Sequence, residues 1–420
     1  MDRKVENKKT SSSSAGSKMI KNTSVFIACF VIGIILITGL SGVVSACETY
    51  VYVNPGESIQ DAIDSICPEG GTVELAPGVH DVYEAIVINK SNITIQGTHD
   101  SVIRCHNNLK DIFSIPFECT EKATEAVGCN KKAKDYPSYK NFLFKGFKIE
   151  SSYGDSYTNM GSAIEAWKVE NLTVENILDE SYIEEFVSIN PIAGWADVRS
   201  RNIFIKNNTV YNSQLIFTTC SDYVYLVNNT NIDAHTSSSI NINVGNEHCY
   251  IYGNYIEGGY NSNIHLYSAS KYLYVHDNIC VGSQVGIEAY IGAQNAIIYN
   301  NTIREQSKAG FFVGTQFTVK NITFTNNVLY NNKRGVLTEY WDGSANNITI
   351  KNNVIYNSSF DGIQMTTEKI PLDIENNIIT NNGGYGINYI ETIEPTTIKY
   401  NDVWGNALGN YKGTSAGTGD

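Results

Sequence analysis

Four segments late in the chain share one apolar frame: Ser239-Ile240-Asn241-Ile242-Asn243, Asn263-Ile264-His265-Leu266-Tyr267, Gly286-Ile287-Glu288-Ala289-Tyr290 and Gly310-Phe311-Phe312-Val313-Gly314. Alternate residues of an extended chain face opposite ways. Aligning the four therefore puts Asn241, His265, Glu288 and Phe312 in one outward column. Asn243, Tyr267, Tyr290 and Gly314 form the next, two residues along. Leu337 with Glu339, then Gln364 with Thr366, continue both columns. A carboxylate beside an imidazole orients the ring and raises its basicity, so His265 and Glu288 are the candidate catalytic pair for proton transfer. Tyr267 and Tyr290 suit stacking on sugar rings and donating hydroxyl hydrogen bonds. With Asn241, Asn243 and Glu339 they make the candidate substrate-binding set.

A polysaccharide lyase or epimerase needs a base, an acid and a group that neutralises the uronate carboxylate. No Arg or Lys stands in the columns to supply the last. The plainer reading is a sheet face, where Tyr, His and Asn are ordinary and cross-strand pairs stabilise by ~0.2 to 1 kcal/mol without any further role. Glu165, Glu184, Glu185 and the run Tyr340-Trp341-Asp342 are weaker candidates and read as solvated edges.

The elements that must position these columns come from a repeat. From about residue 200, an alternating apolar strand, an Asn-rich two-residue turn, a second short strand and a third strand recur. The turns are Asn207-Asn208, Asn228-Asn229, Gly253-Asn254, Asp277-Asn278, Asn300-Asn301, Asn326-Asn327, Asn352-Asn353, Asn376-Asn377 and Asn401-Asp402. Their second members are 21, 25, 24, 23, 26, 26, 24 and 25 residues apart. That is one solenoid coil per repeat; the turns of a sandwich would fall every ~8 to 12 residues. Within one coil, Ile348 and Ile350 should point in and Thr349 and Lys351 out. Asparagine suits the turn because it tolerates left-handed angles and its amide can bond the same group one coil away. These residues are therefore read as structural. Cys249 and Cys280 fall at apolar positions and read as small core residues. The fold expected is all-β, a parallel β-helix of roughly ten coils over 141–410, with Asn54-Pro55-Gly56-Glu57-Ser58-Ile59-Gln60-Asp61-Ala62-Ile63 read as a short amphipathic helix that caps the open end.

Three segments follow: 1–46, a signal peptide or membrane anchor; 47–140, the cap and first coils with an insertion at about 105–140; and 141–420, the repeats. Arg3, Lys4, Lys8, Lys9, Lys18 and Lys21 precede an uncharged run over 25–46, which places the rest outside the cytoplasm. Val44-Ser45-Ala46-Cys47 resembles a lipoprotein cleavage box, so a lipid anchor at Cys47, an uncleaved helix and release all stay open. Cys119 and Cys129 in the insertion could close it with a disulfide. The chain carries a net charge of −13, and about −17 without residues 1–46. Such a surface excludes nucleic acid and, without a bridging cation such as calcium, polyuronates. Calcium stays open as a cofactor; no CxxC or HExxH motif signals a metal site.

Pro55-Gly56-Glu57-Ser58-Ile59-Gln60-Asp61-Ala62-Ile63, Ala76-Pro77-Gly78-Val79-His80, Lys90-Ser91-Asn92-Ile93-Thr94-Ile95-Gln96-Gly97 and the Asn-Asn-x-Ile coils resemble the right-handed β-helix proteins of the pectate lyase-like superfamily. They are especially similar to its NosD-type and surface-protein branch, common in methanogenic archaea. The likeness covers about residues 50 to 410. It implies the fold and leaves the chemistry open, since that superfamily holds lyases, hydrolases, epimerases and phage spikes. The polygalacturonase set of Asn-x-Asp, Asp-Asp, His-Gly and Arg-x-Lys is missing, as is the Asp-rich calcium cluster of pectate lyases. Three roles remain: a cell-surface module that binds polysaccharide or envelope glycans, a polysaccharide-active enzyme using His265 and Glu288, and a NosD-like metal-handling accessory protein. The scattered His80, His99, His106, His235, His248, His265 and His276 form no ligand motif, which weakens the last.

Overall fold

The structure is a computed structural model. It describes residues 47–420 except 107–108, 110, 117–137, 152–160, 191–198, 236, 367–369 and 391–396. Residues 1–46, and with them the expected targeting segment, lie outside the described residues, as do Cys119 and Cys129.

Every strand pairing is parallel, and the strands fall into three sheets that follow one another along each coil. The first sheet has 14 strands, the second and third 13 each, making a right-handed solenoid of about 13 turns. The register follows from the apolar alternation. Ile322, Ile348 and Leu372 stack in one column and Phe324, Ile350 and Ile374 in another, all inward and buried, while Thr349 and Lys351 face out. One apolar core runs from Val53 to Tyr389. Cys249 and Cys280 belong to it, and burial pushes both thiols far up.

The Asn turns are built as two jobs in two residues. The first member takes the left-handed conformation, at φ 57° for Asn207, 53° for Asn228 and 54° for Asn376. The second turns its amide inside, so that Asn208, Asn229, Asn254, Asn278, Asn301, Asn327, Asn353, Asn377 and Asn401 form one buried ladder. Each Nδ2 donates to the next Oδ1 at 2.9 to 3.1 Å. The final turn is Tyr400-Asn401, not Asn401-Asp402: Tyr400 is left-handed at φ 57° and Asn401 continues the ladder onto Asp420.

The only helix among the described residues, Ile59–Ser65, is capped by Ser58, whose Oγ accepts from Asp61 N at 3.1 Å. Ile59, Ala62 and Ile63 join the end of the core. Lys90 Nζ donates to the carbonyls of Ile63 and Ile66 at 2.9 and 2.8 Å, satisfying the helix C-terminus.

Two expectations change. Asp111–Ile115 is a rung of the third sheet, paired with Ile86–Val87 and Ser162–Ala166, so the coil persists inside the insertion expected from about residue 105. Its Ile112, Phe113 and Ile115 are buried although charged residues flank them in sequence. Cys47 and Cys67 are each disulfide-bonded, which removes the Cys47 sulfur from the thioether a lipid anchor requires.

The core also holds a carboxyl. Asp179 sits where its column otherwise carries Ile149 and Val210, accepts from Ser181 N at 3.1 Å, and is pushed by burial from the ordinary 3.8 to about 7. The folded state therefore holds this proton more tightly than the unfolded chain. The stability it confers is complete below about pH 4 and lost as pH rises through about 7. Glu185, also pushed up to about 7 by burial, acts in the same direction. Urea midpoints of the parent should fall from pH 5 to pH 8, and Asp179→Asn should remove roughly 2 to 4 kcal/mol of that dependence. A variant as pH-sensitive as the parent would refute the assignment.

Candidate functional site

The candidate columns lie on the outer face of the third sheet. Ser114, Glu165, Ser188, Phe217, Asn241, His265, Glu288, Phe312, Leu337, Gln364 and Asn388 stand in continuous register. Tyr290, Gly314 and Glu339 do the same in the neighbouring column. The face is not the open rail that outward direction implies. His265 is 8% exposed, Glu288 7% and Asn241 6%. At ~4.8 Å between coils, large side chains roof their neighbours.

The roof is aromatic. The Tyr267 ring stands edge-on to His265 with centroids 4.8 Å apart, and Tyr290 lies 6.2 Å from His265 and 5.7 Å from Tyr267. Trp341, half exposed, packs against Tyr290 at 5.0 Å and Phe312 at 6.2 Å. Gly314 makes room for this cluster. A Cβ there would meet Phe312 at 2.6 Å, Tyr290 at 2.8 Å and Trp341 at 2.9 Å. Phe312 and Leu337 with Val285 and Ala309 form a second apolar cluster, separate from the solenoid core. The tilted rings contrast with the first sheet, where Phe204, Tyr225, Tyr250 and Tyr274 stack with interplanar angles of 5 to 6° and cover one another's faces.

Beneath the rings lie polar groups. Ser262 Oγ donates to Glu288 Oε2 at 2.6 Å, and that oxygen is 3.7 Å from His265 Nε2, close enough for an ion pair but too long for a hydrogen bond. Neither His265 nitrogen, nor Asn241 Oδ1, has a hydrogen-bond partner among the described residues. Burial holds the imidazole below its ordinary range, with Glu288 opposing in part. Burial thus outweighs the rise in basicity expected from the carboxylate, and the ring is neutral near pH 7. Burial also raises the Tyr267 and Tyr290 phenols, with Glu288 adding to both.

Of the expected binding residues, Tyr267 and Tyr290 meet His265, whereas Glu339 is engaged by Lys308 Nζ at 2.9 Å. Asn243 is half-buried, its carbonyl accepting from Asn246 Nδ2 at 2.8 Å. Lys308, which also sits 4.1 Å over the Phe312 ring, is not foreseeable as a neighbour from the repeat because it precedes its strand. Trp341 joins the site rather than a solvated edge. Glu165 is buried too, accepting from Trp167 Nε1 at 3.0 Å, four coils from His265.

Comparison with known proteins agrees with the fold. Residues 197–348 match the family model of the right handed beta helix region, and residues 318–416 that of NosD, described as a periplasmic copper-binding protein. No curated protein matches the chain by sequence. Among solved structures, it is similar to the family 28 exopolygalacturonase of Yersinia enterocolitica at 12% identity and TM-score 0.53, covering 87% of this chain and 78% of that one. The surface adhesin PfbA of Streptococcus pneumoniae is similar at 14% identity and TM-score 0.55, covering 79% and 87%. The A-module of an Azotobacter vinelandii mannuronan C-5 epimerase is similar at 15% identity and TM-score 0.51, covering 83% and 99%. Identities this low speak for the fold alone. The copper description also meets no matching donors: residues 318–416 contain no His and no Cys, and their one Met, Met365, is buried in the core. Thiolate, thioether and imidazole are the donors copper prefers.

Proposed function

We propose that this chain, a right-handed parallel β-helix whose residues 197–348 match the family model of the right handed beta helix region, acts outside the cytoplasm and binds a polysaccharide along the outer face of its third sheet. The observation that carries this reading is the tilted cluster of Tyr267, Tyr290 and Trp341 over hydrogen-bonding atoms without partners. Sugar rings stack on aromatic faces through their apolar C–H side and turn their hydroxyls sideways to polar groups. In this reading Asn241, His265 and Glu288 receive those hydroxyls. The solved relatives, a polysaccharide-active enzyme and an adhesin among them, are consistent with a glycan partner. The basic flank and uncharged run of residues 1–46 support export, either with a membrane anchor or with release.

A second reading has its own observation. His265 and Glu288 are buried 3.7 Å apart with the imidazole neutral, as a general base must be. Affinity electrophoresis separates the two. Tyr267→Ala should weaken retardation by a bound polysaccharide by about tenfold, the value of one lost stacking contact of ~1.4 kcal/mol. His265→Ala should change binding less, and should abolish turnover if there is any. A Tyr267→Ala variant that binds like the parent would overturn the stacking platform.

A further inference from the structure

We infer that the polysaccharide held on the third sheet is built of uncharged sugars, not of uronates; this rests on the glycan-binding reading above. Three features of the site point there.

The first is charge. Glu288 lies under the aromatic roof, and Glu339 and Asp342 are close enough to act on the Tyr290 phenol. Lys308, the cation that reaches the cluster, is spent on Glu339 at 2.9 Å. Arg334 lies beyond the Phe312 and Leu337 patch, where it bonds Gln364 Oε1 and stands 5.2 Å over the Phe360 ring. A carboxylate stacked on Tyr267 and Tyr290 would face Glu288 with no unpaired cation beside it among the described residues.

The second is the kind of hydrogen bond on offer. Asn241 Oδ1 only accepts, and a neutral imidazole has one donor and one acceptor nitrogen. The partnerless atoms therefore comprise two acceptors and one donor. Sugar hydroxyls both donate and accept, so two of them satisfy all three. An ionised carboxylate only accepts, so it would leave Asn241 Oδ1 and one imidazole nitrogen buried and unbonded, which is costly.

The third is long range. The chain carries about −17 outside residues 1–46, a field that lowers the encounter rate with any polyanion.

The consequence for chemistry is direct. Lyases and epimerases remove a proton made acidic by the adjacent uronate carboxyl, and an uncharged sugar has no such proton. His265 is then a hydroxyl-binding residue rather than a base.

The test runs the full chain, in detergent, through gels containing glucomannan, laminarin, dextran, polygalacturonate or alginate, with and without calcium. At least one of the three uncharged polymers should retard it, at least tenfold more strongly than either polyuronate, and Trp341→Ala should abolish the retardation. Retardation by polygalacturonate or alginate that equals or exceeds the uncharged polymers, and is lost in Trp341→Ala, overturns the inference while the glycan-binding reading stands. It does so whether or not calcium is required. No retardation by any of the five polymers overturns the glycan-binding reading and the inference with it.

Discussion

Asn327→Leu is expected to destabilise the solenoid by about 4 kcal/mol, because it removes four buried hydrogen bonds worth roughly 1 kcal/mol each at the least. Asn327 Nδ2 donates to Asn353 Oδ1 at 3.1 Å and to Ile298 O at 3.0 Å. Its Oδ1 accepts from Asn301 N at 2.8 Å and from Asn301 Nδ2 at 2.9 Å. Leucine has nearly the same size and can replace none of these. The backbone N–H of Asn301 would lose its partner inside the protein, where water cannot reach it, and the carbonyl of Ile298 would lose the amide, while Asn301 Nδ2 keeps the carbonyls of Val275 and Tyr299. The loss also spreads, since each coil of a solenoid is held only by its neighbours and the ladder joins nine of them. Asn347→Leu is the control. Asn347 stands in an exposed ladder, left-handed at φ 54° and bonded to Asn321 Oδ1 at 2.9 Å, and should cost about 1 to 2 kcal/mol, mostly backbone strain. Urea unfolding of both variants reads the difference. Equal midpoints would mean that burial of the amides contributes nothing.

That contrast shows why the fold was legible. The solenoid is written in short-range terms that recur: an apolar residue every second position, then a left-handed Asn, then an inward Asn. Even the departures follow the rule, since Tyr223, His248 and Tyr272 take the left-handed position in successive coils and stack at 4.8 and 5.0 Å where the exposed Asn ladder is interrupted. The rung Asp111–Ile115 was harder because its neighbours in sequence are charged and its neighbours in space lie in other coils.

The site was legible only as a register. Alignment placed His265 beside Glu288 and Tyr290 beside Gly314, both present in the sheet. It could not show that these residues are covered. Cover comes from Trp341, which follows its strand, and from Lys308, which precedes one, and neither position is fixed by the repeat. Gly314 reads in sequence as a gap in the column. In space it is the vacancy that admits the indole. Nor could alignment show that a buried imidazole and a buried amide oxygen under the ring cluster lack hydrogen-bond partners among the described residues.

Tyr290→Ala should therefore weaken binding strongly, by about 30-fold or more, corresponding to ~2 kcal/mol. Tyr290 touches more of the cluster than any other ring. Its centroid lies 5.0 Å from Trp341, 5.7 Å from Tyr267, 6.2 Å from His265 and 6.4 Å from Phe312. Removing it takes away one stacking face and also frees Trp341 and Tyr267 from the neighbour that sets their tilt, so the two losses compound. It would also open His265 to water, letting the imidazole titrate nearer its ordinary range, since burial is the larger cause of its depression. Tyr290→Phe separates these contributions. It keeps the ring and its contacts and loses only the hydroxyl, so binding should fall by less than about fivefold, under ~1 kcal/mol. Calorimetry on the polymer that retards the parent measures both variants, and nuclear magnetic resonance titration of the His265 ring reads the third effect independently of any ligand. If Tyr290→Ala left both the affinity and the His265 titration unchanged, the ring would be neither platform nor roof, and recognition would have to lie on another face of the solenoid.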